Sequence, residues 1–335
     1  MNRAVSNASS TRYVKRSALD LIRAHPAGNV ILIFMAVLLA CVAASLINEE
    51  FRFLTKQNTI ILQRAIPTLG IMSLGVGLLM IAGEFDLSVG AVFGVSSYTM
   101  VMIHSWGYPI LFGVAAALIV AAAIGFLNGW ITTKYSIPSF ITTLGTLFIF
   151  RSGGRLISQN KPLLFKEPDW FDALLTGRYF GWLQMQFVWF LIIAMLAWLI
   201  LNRHTIGNQF FAVGGNANAA NQVGIRVKRV KIIAFMLASI CAAIAGMISV
   251  TRVGSATTDP QVFMELEAVA ACVMGGLALT GGRGSVVGIV IGAVMFHLVK
   301  DIILLVRLPG YYLDLFVGLV IVFGVTLNQV AKKRY

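Results

Sequence analysis

Residues 65–90 read AIPTLGIMSLGVGLLMIAGEFDLSVG. The run Ala65–Ala82 is apolar over close to the ~20 residues that a helix needs to cross a bilayer. It is opened by Pro67 and carries Gly70, Gly75 and Gly77, small residues that let neighbouring helices approach. It breaks at Gly83-Glu84-Phe85-Asp86-Leu87-Ser88-Val89-Gly90, and a second apolar run begins at once. A span that crosses, breaks and returns is the repeating unit of a polytopic helical membrane protein.

The remainder of the chain repeats that unit. Of its 335 residues, 58% are hydrophobic and 12% charged, with a mean hydropathy of +0.85. Soluble domains carry about 25% charged residues, so a soluble fold is excluded. Besides Ala65–Ala82, candidate spans are Val30–Ile47, Ala91–His104, Ile110–Ile131, Ser139–Ile157, Leu183–Leu201, Ile232–Val250, Leu266–Thr280, Ser285–Val299 and Tyr312–Leu327. The reading is an all-α integral membrane bundle of about ten transmembrane helices. A transmembrane domain over 30–327 lies between a basic segment, 1–29, and a short basic tail, 328–335. The first segment has no signal-peptide pattern, because the apolar run that follows it is too long and lacks a small-residue cleavage site.

The net charge of +13 sits mainly in segments that flank spans, where it orients helices and meets anionic headgroups. No nucleic-acid module accompanies it. The strongest Lys/Arg clusters lie before Val30, in 202–231 and after Leu327, all on one side of the alternating spans, so both termini are expected in the cytoplasm. Cys41, Cys241 and Cys272 sit singly in apolar runs, as small buried hydrophobes do. The longest external segment, Gln159–Trp182, reads as a solvated loop or a docking surface. Gly90-xxx-Gly94, Gly125-xxx-Gly129 and Gly288-xxx-Gly292 suit close helix crossings. A faint echo aligns Gly83, Leu87, Ser88 and Gly90 with Gly275, Leu279, Thr280 and Gly282.

The polar loop over 207–231, GNQFFAVGGNANAANQVGIRVKRVK, carries a helix signal of its own. Asn216 is a good N-cap, Ala217–Val223 is a helix-competent run of about two turns, and Gly224 suits the left-handed residue after a helix. Arg226, Lys228, Arg229 and Lys231 follow. A capped helix at the face of a chain otherwise committed to lipid is a surface to present to a partner.

Glu84 and Asp86 are costly at membrane depth without a partner or water. They read either as a cavity-lining or gating turn with Gly83, Ser88 and Gly90, or as a capped connection in which Asp86 satisfies the first N–H groups of the next helix. Arg64, Glu265, Glu267, His297, Lys300, Asp301 and Asp314 fall near span ends. His297 is the most embedded, and a lone histidine is more often a packing residue than a proton relay. No phosphate-binding loop, metalloprotease motif or nucleophile elbow occurs. The chain therefore offers no catalytic residues and calls for no metal or cofactor; ATP hydrolysis, if it drives transport, belongs to another chain.

Taken in order, these segments resemble a known family. Residues 83–90 are similar to the Gly-Gly-Ile-Asp-Leu-Ser-Val-Gly signature of permease subunits in bacterial ATP-binding cassette importers for ribose, xylose, arabinose and related sugars. Gly125-Phe-Leu-Asn128-Gly129 with Ile137–Thr146 resembles that family's connection between the fourth and fifth spans. Ala212–Ile225 is similar to its cytoplasmic coupling segment, and Glu265–Ala271 with Gly275–Gly284 completes the series. Here Glu84 replaces the second glycine, Phe85 the isoleucine and Glu267 an aspartate. The resemblance implies a second permease, two cytoplasmic ATPases and an extracytoplasmic solute-binding protein, with the pathway between the two permeases. It also implies ATPase coupling through Gly214, Gly215, Asn216, Ala220, Gly224 and Arg226. The expected cargo is a sugar or sugar-like polyol. A nucleoside or a furanosyl signalling compound suits the same architecture, and the rival class is an ion-coupled transporter that works alone.

Overall fold

All ten apolar runs fall on helices in the computed structural model, which describes residues 27–48, 50–258 and 263–332. The first five helices among the described residues are α1 (Gly28–Ile47), α2 (Lys56–Ile81), α3 (Val89–Ser105), α4 (Ile110–Tyr135) and α5 (Ser139–Ser158). Strand β1 (Leu163–Leu164), helix α6 (Asp169–Leu175) and the hairpin β2 (Arg178–Tyr179) and β3 (Leu183–Gln184) follow. Next come α7 (Met185–Arg203), α8 (Thr205–Gly215), α9 (Ala217–Gln222), α10 (Val227–Val253) and β4 (Ser255–Ala256). The chain ends in α11 (Met264–Met274), α12 (Val286–Leu305) and α13 (Tyr311–Lys332). Among the described residues, six helices, α1, α2, α4, α7, α10 and α12, are long and apolar enough to cross a membrane. The apolar helices α3 and α13 (the latter over Tyr311–Phe323) are shorter, α5 carries Arg151 and Arg155, and α11 has only 11 residues. The basic segment expected over 1–29 lies outside the described residues except for its last three. The tail expected from 328 is helical as far as Lys332, and 333–335 lie outside the described residues.

Helix α2 is the axle. Its most apolar window is 89% buried, against 6% for α1, which packs at the edge on α12. Around α2 stand α7, α10, α11 and α12, while α3 and α4 pack on α10. The small-residue pairs make these crossings tight. A Cβ on Gly125 would lie 2.7 Å from the carbonyl of Phe235, and one on Gly129 would lie 2.8 Å from the Cα of Ile232. Gly288 and Gly292 meet the carbonyls of Gly275 and Ala271 in the same manner, whereas Gly90 makes room for the carboxylate of Glu265.

Three boundaries differ from the hydropathy reading. Helix α2 begins at Lys56, with Pro67 inside it, because Thr55 caps it by accepting from the Asn58 N–H at 3.2 Å. The polar residues that hid this turn are buried and satisfied: Asn58 donates to Asp301 at 2.8 Å, and Gln63 accepts from the Gln184 N–H at 3.1 Å. Helix α11 stops at Met274 rather than reaching Thr280. Gly276 takes φ +80°, and the N–H groups of Gly276 and Leu277 bond back to Val273 and Cys272, a closure that ends the helix. The polar stretch before Asn216, read as loop, is the helix α8, capped by His204 accepting from the Ile206 N–H.

The segment Gln159–Trp182, expected to be external, is a built cap rather than a bare loop. Leu163 and Leu164 pair antiparallel with Ala256 and Ser255, which fastens it to the end of α10. Phe165 and Phe171 bury against Tyr98, Met100 and Val250. This cap marks one end of the bundle. Helices α8 and α9 mark the other.

Candidate functional site: helix α9 and the glycine junction beneath it

Helix α9 forms as its sequence dictates. The Asn216 side chain accepts from the Ala219 N–H at 3.0 Å, and the helix closes where Gly224 adopts φ +88°. The N–H of Gly224 then bonds to Asn221 and that of Ile225 to Ala220, satisfying two of the last carbonyls. Asn216→Ala removes the cap and is expected to destabilise this end by about 1 kcal/mol. Faster amide exchange over 217–222, with the rest of the bundle unchanged, checks it.

The helix has two faces. Ala220 is 4% exposed and packs into the main core, so it anchors α9 to its own bundle. Asn218, Ala219, Gln222 and Val223 face out, as do Gly215, Asn216, Gly224 and Arg226. Val223 is 78% exposed. Of the six positions with a coupling role implied by the resemblance, four therefore lie on the open face, Ala220 lies beneath it, and Gly214 is packed against Ile81 and Gly282.

Just before α9 in the chain, at the end of α8, three distant segments meet backbone to backbone. Gly214, at the end of α8, lies against the Ile81 carbonyl so closely that a Cβ would collide with that oxygen and lie 2.6 Å from the Gly282 nitrogen. The Gly282 N–H donates to the same Ile81 carbonyl at 2.9 Å. A Cβ on Gly281 would lie 2.6 Å from the Cα of Gly83, and one on Gly282 would lie 2.6 Å from the Cα of Gly215. The end of α2, the end of α8 and the α11–α12 connection are thus in contact with no side chain between them.

Beside the junction, the connection between α2 and α3 carries the two carboxylates. Glu84 pairs with Lys231 at the start of α10. Both line a cavity of about 750 Å³ with Thr132, Ser136, Asn218 and Lys228, between the α4–α5 connection and α9. Asp86 is fully buried and accepts from the Ser88 N–H at 2.7 Å and the Ser88 hydroxyl at 2.6 Å. Asn128 of α4 donates to the Ser88 hydroxyl at 2.7 Å, and the Phe85 N–H donates to the Ser139 hydroxyl of α5 at 3.1 Å. Asp86 satisfies the N–H just before α3, and Glu84 borders a cavity. Gly90 lies apart from both, against Glu265. Sequence reasoning missed the partners Lys231 and Asn128. Lys231 stands in a basic cluster that masks its pairing, and the one signal available for Asn128 is its polarity inside an apolar run.

The Glu84–Lys231 pair is mostly buried, at 10% and 21% side-chain exposure. Glu84→Gln leaves the ammonium without its counter-charge and is expected to cost about 1–3 kcal/mol, less than a fully buried pair because water still reaches it. Glu84→Gln with Lys231→Met is expected to recover most of that loss, which thermal unfolding of the single and double variants measures. Among the described residues, no group of three or more His, Cys, Asp or Glu side chains is placed to hold a metal ion.

Comparison with known proteins agrees with this architecture. Residues 58–325 match the family described as branched-chain amino acid transport system / permease component. The autoinducer 2 import system permease protein LsrC of Escherichia coli O157:H7 is 30% identical over 293 residues, covering 86% of this chain and 83% of that protein. The protein of that name from Yersinia pseudotuberculosis serotype O:3 is 32% identical over 256 residues, covering 75% of this chain and 71% of that protein. The matched span takes in α2 through most of α13, including the glycine junction and α9, and by that extent the chain belongs to the permease component family of branched-chain amino acid transport systems, permeases of ATP-binding cassette importers.

Proposed function

We propose that this chain forms, with a second permease, the transmembrane pathway of an ATP-driven importer for a small sugar-like solute in the bacterial inner membrane. Separate cytoplasmic ATPases power it, and an extracytoplasmic binding protein delivers the solute to the capped end. The observation that carries the reading is the mounting of α9. Its outer face is open, and it continues directly from the end of α8, whose Gly214 and Gly215 meet the end of α2 and the α11–α12 connection without side chains between them. A push on α9 from an ATPase reaches the axle of the bundle directly and moves helices as rigid bodies.

The relatives are named as autoinducer 2 import permeases, which favours a furanosyl signalling compound over ribose-type sugars. The ion-coupled alternative loses support from the match over residues 58–325 to a transport-system permease component. Expressed with its neighbouring reading frames and solubilised in detergent, the tagged chain is expected to bring an ATPase with it. Purification of the chain alone, with uptake activity intact, contradicts the proposal.

A further inference from the structure

A groove of about 520 Å³ opens where the start of α8, the end of α9 and the start of α10 meet. Arg226 and Arg229 line it with Ile206, Ile225 and Ile233, and no acidic side chain does. Both arginines are exposed, and among the described residues their guanidinium groups make no hydrogen bond or ion pair. His204, also in the wall, accepts from the Ile206 N–H at 3.2 Å through Nδ1, which leaves Nε2 as an N–H donor. Two helices begin here, α8 at Thr205 and α10 at Val227, and the positive ends of their dipoles add to the guanidinium charge. The first turn of α10 holds Lys228 and Arg229 and no acid, the reverse of what a helix start prefers. An anion seated in the groove removes that conflict.

The groove lies at headgroup depth. It stands where the membrane-length helix α7 ends, at Arg203, and where the membrane-length helix α10 begins. On α7, Ile192, Met195, Leu196 and Leu199 form an exposed stripe at helical spacing. The same face continues to Arg203, which is exposed and directly precedes His204. An acyl chain laid along that stripe brings its phosphate to the helix end, beside the groove. Basic pockets between membrane helices take the headgroups of anionic lipids.

We propose that this groove binds the phosphate of an anionic phospholipid of the phosphatidylglycerol class, through Arg226, Arg229 and His204. The bound lipid braces the end of α9, because Val223 and Gly224 belong to the same wall. The proposal does not rest on the importer reading.

The test is native mass spectrometry of the full chain in detergent, with phosphatidylglycerol or phosphatidylcholine added at equal concentration. Phosphatidylglycerol is expected to stay bound where phosphatidylcholine leaves. Arg229→Gln is expected to weaken retention about tenfold, the loss of one charge-assisted hydrogen bond, and Arg229→Lys to keep most of it. Arg229 is exposed, so the unfolding midpoint without lipid stays the same. Lys228→Gln removes the same charge one residue away, on the wall of the cavity beside Glu84, and is expected to leave retention nearly unchanged. Equal losses at the two positions show general attraction to a basic surface and overturn the site, as does retention untouched by Arg229→Gln. Displacement of the lipid by millimolar glycerol 3-phosphate, but not by sodium chloride of equal ionic strength, identifies a soluble phosphate ester and overturns the lipid as occupant. Release of a copurified ATPase by Arg229→Gln, with lipid retention unchanged, assigns the groove to that partner and overturns the proposal too.

Discussion

Gly214→Ala is expected to abolish transport and to lower the thermal unfolding midpoint of the permease by several degrees, while Gly215→Ala, one residue along, does neither. The added methyl at Gly214 meets the Ile81 carbonyl and the Gly282 nitrogen, both backbone atoms held by a mutual hydrogen bond. No side chain is available to swing aside, so relief requires moving a helix end. Overpacking of this kind costs about 1–3 kcal/mol, and here it also separates the end of α8 from α2. A Cβ on Gly215 meets nothing within 4 Å. Both glycines lie in α8, where alanine is the better helix former by about 1 kcal/mol. Gly215→Ala is therefore neutral or slightly stabilising. Equal behaviour of the two variants in detergent unfolding and vesicle uptake contradicts the junction as described.

Ala219→Glu is expected to release the ATPase without unfolding the permease. Ala219 is exposed on α9, on one face with Gln222 and Val223, and it stands three residues after the cap Asn216. A glutamate at that position completes a capping box, so the helix is kept or strengthened. The same carboxylate placed inside a docked interface is an uncompensated buried charge. That costs about 3–5 kcal/mol, more than a hundredfold in affinity. The expected result is a folded permease that elutes alone and hydrolysis that no longer responds to solute. An Ala219→Glu permease that still retains its ATPase places the docking surface elsewhere.

Much of this was legible because lipid imposes simple rules. Ten apolar runs announced ten helices, and Asn216 with Gly224 announced α9 to within a residue of each end. Hydropathy failed where polar residues are buried with specific partners. Asn58 and Gln63 hid the first turns of α2, and His204, an uncommon cap, hid the start of α8. The glycine echo was real in kind but displaced by one residue. Gly83 corresponds to Gly276, each the left-handed residue that closes its helix by the same pair of backward hydrogen bonds. What no single sequence displays is which glycines face each other. The contact of Gly83 with Gly281 and of Gly214 with Ile81 joins segments far apart in the chain, and only the packing of α2 brings them together.

The central claim is that a separate ATPase moves these helices through α9. Its most direct measurement is solute uptake into proteoliposomes that hold this permease, its partner permease and the ATPases, with the binding protein outside. Uptake is expected only when ATP is inside, lost with Ala219→Glu and kept with Gly215→Ala. Uptake by this chain alone, driven by a sodium or proton gradient without ATP, contradicts it.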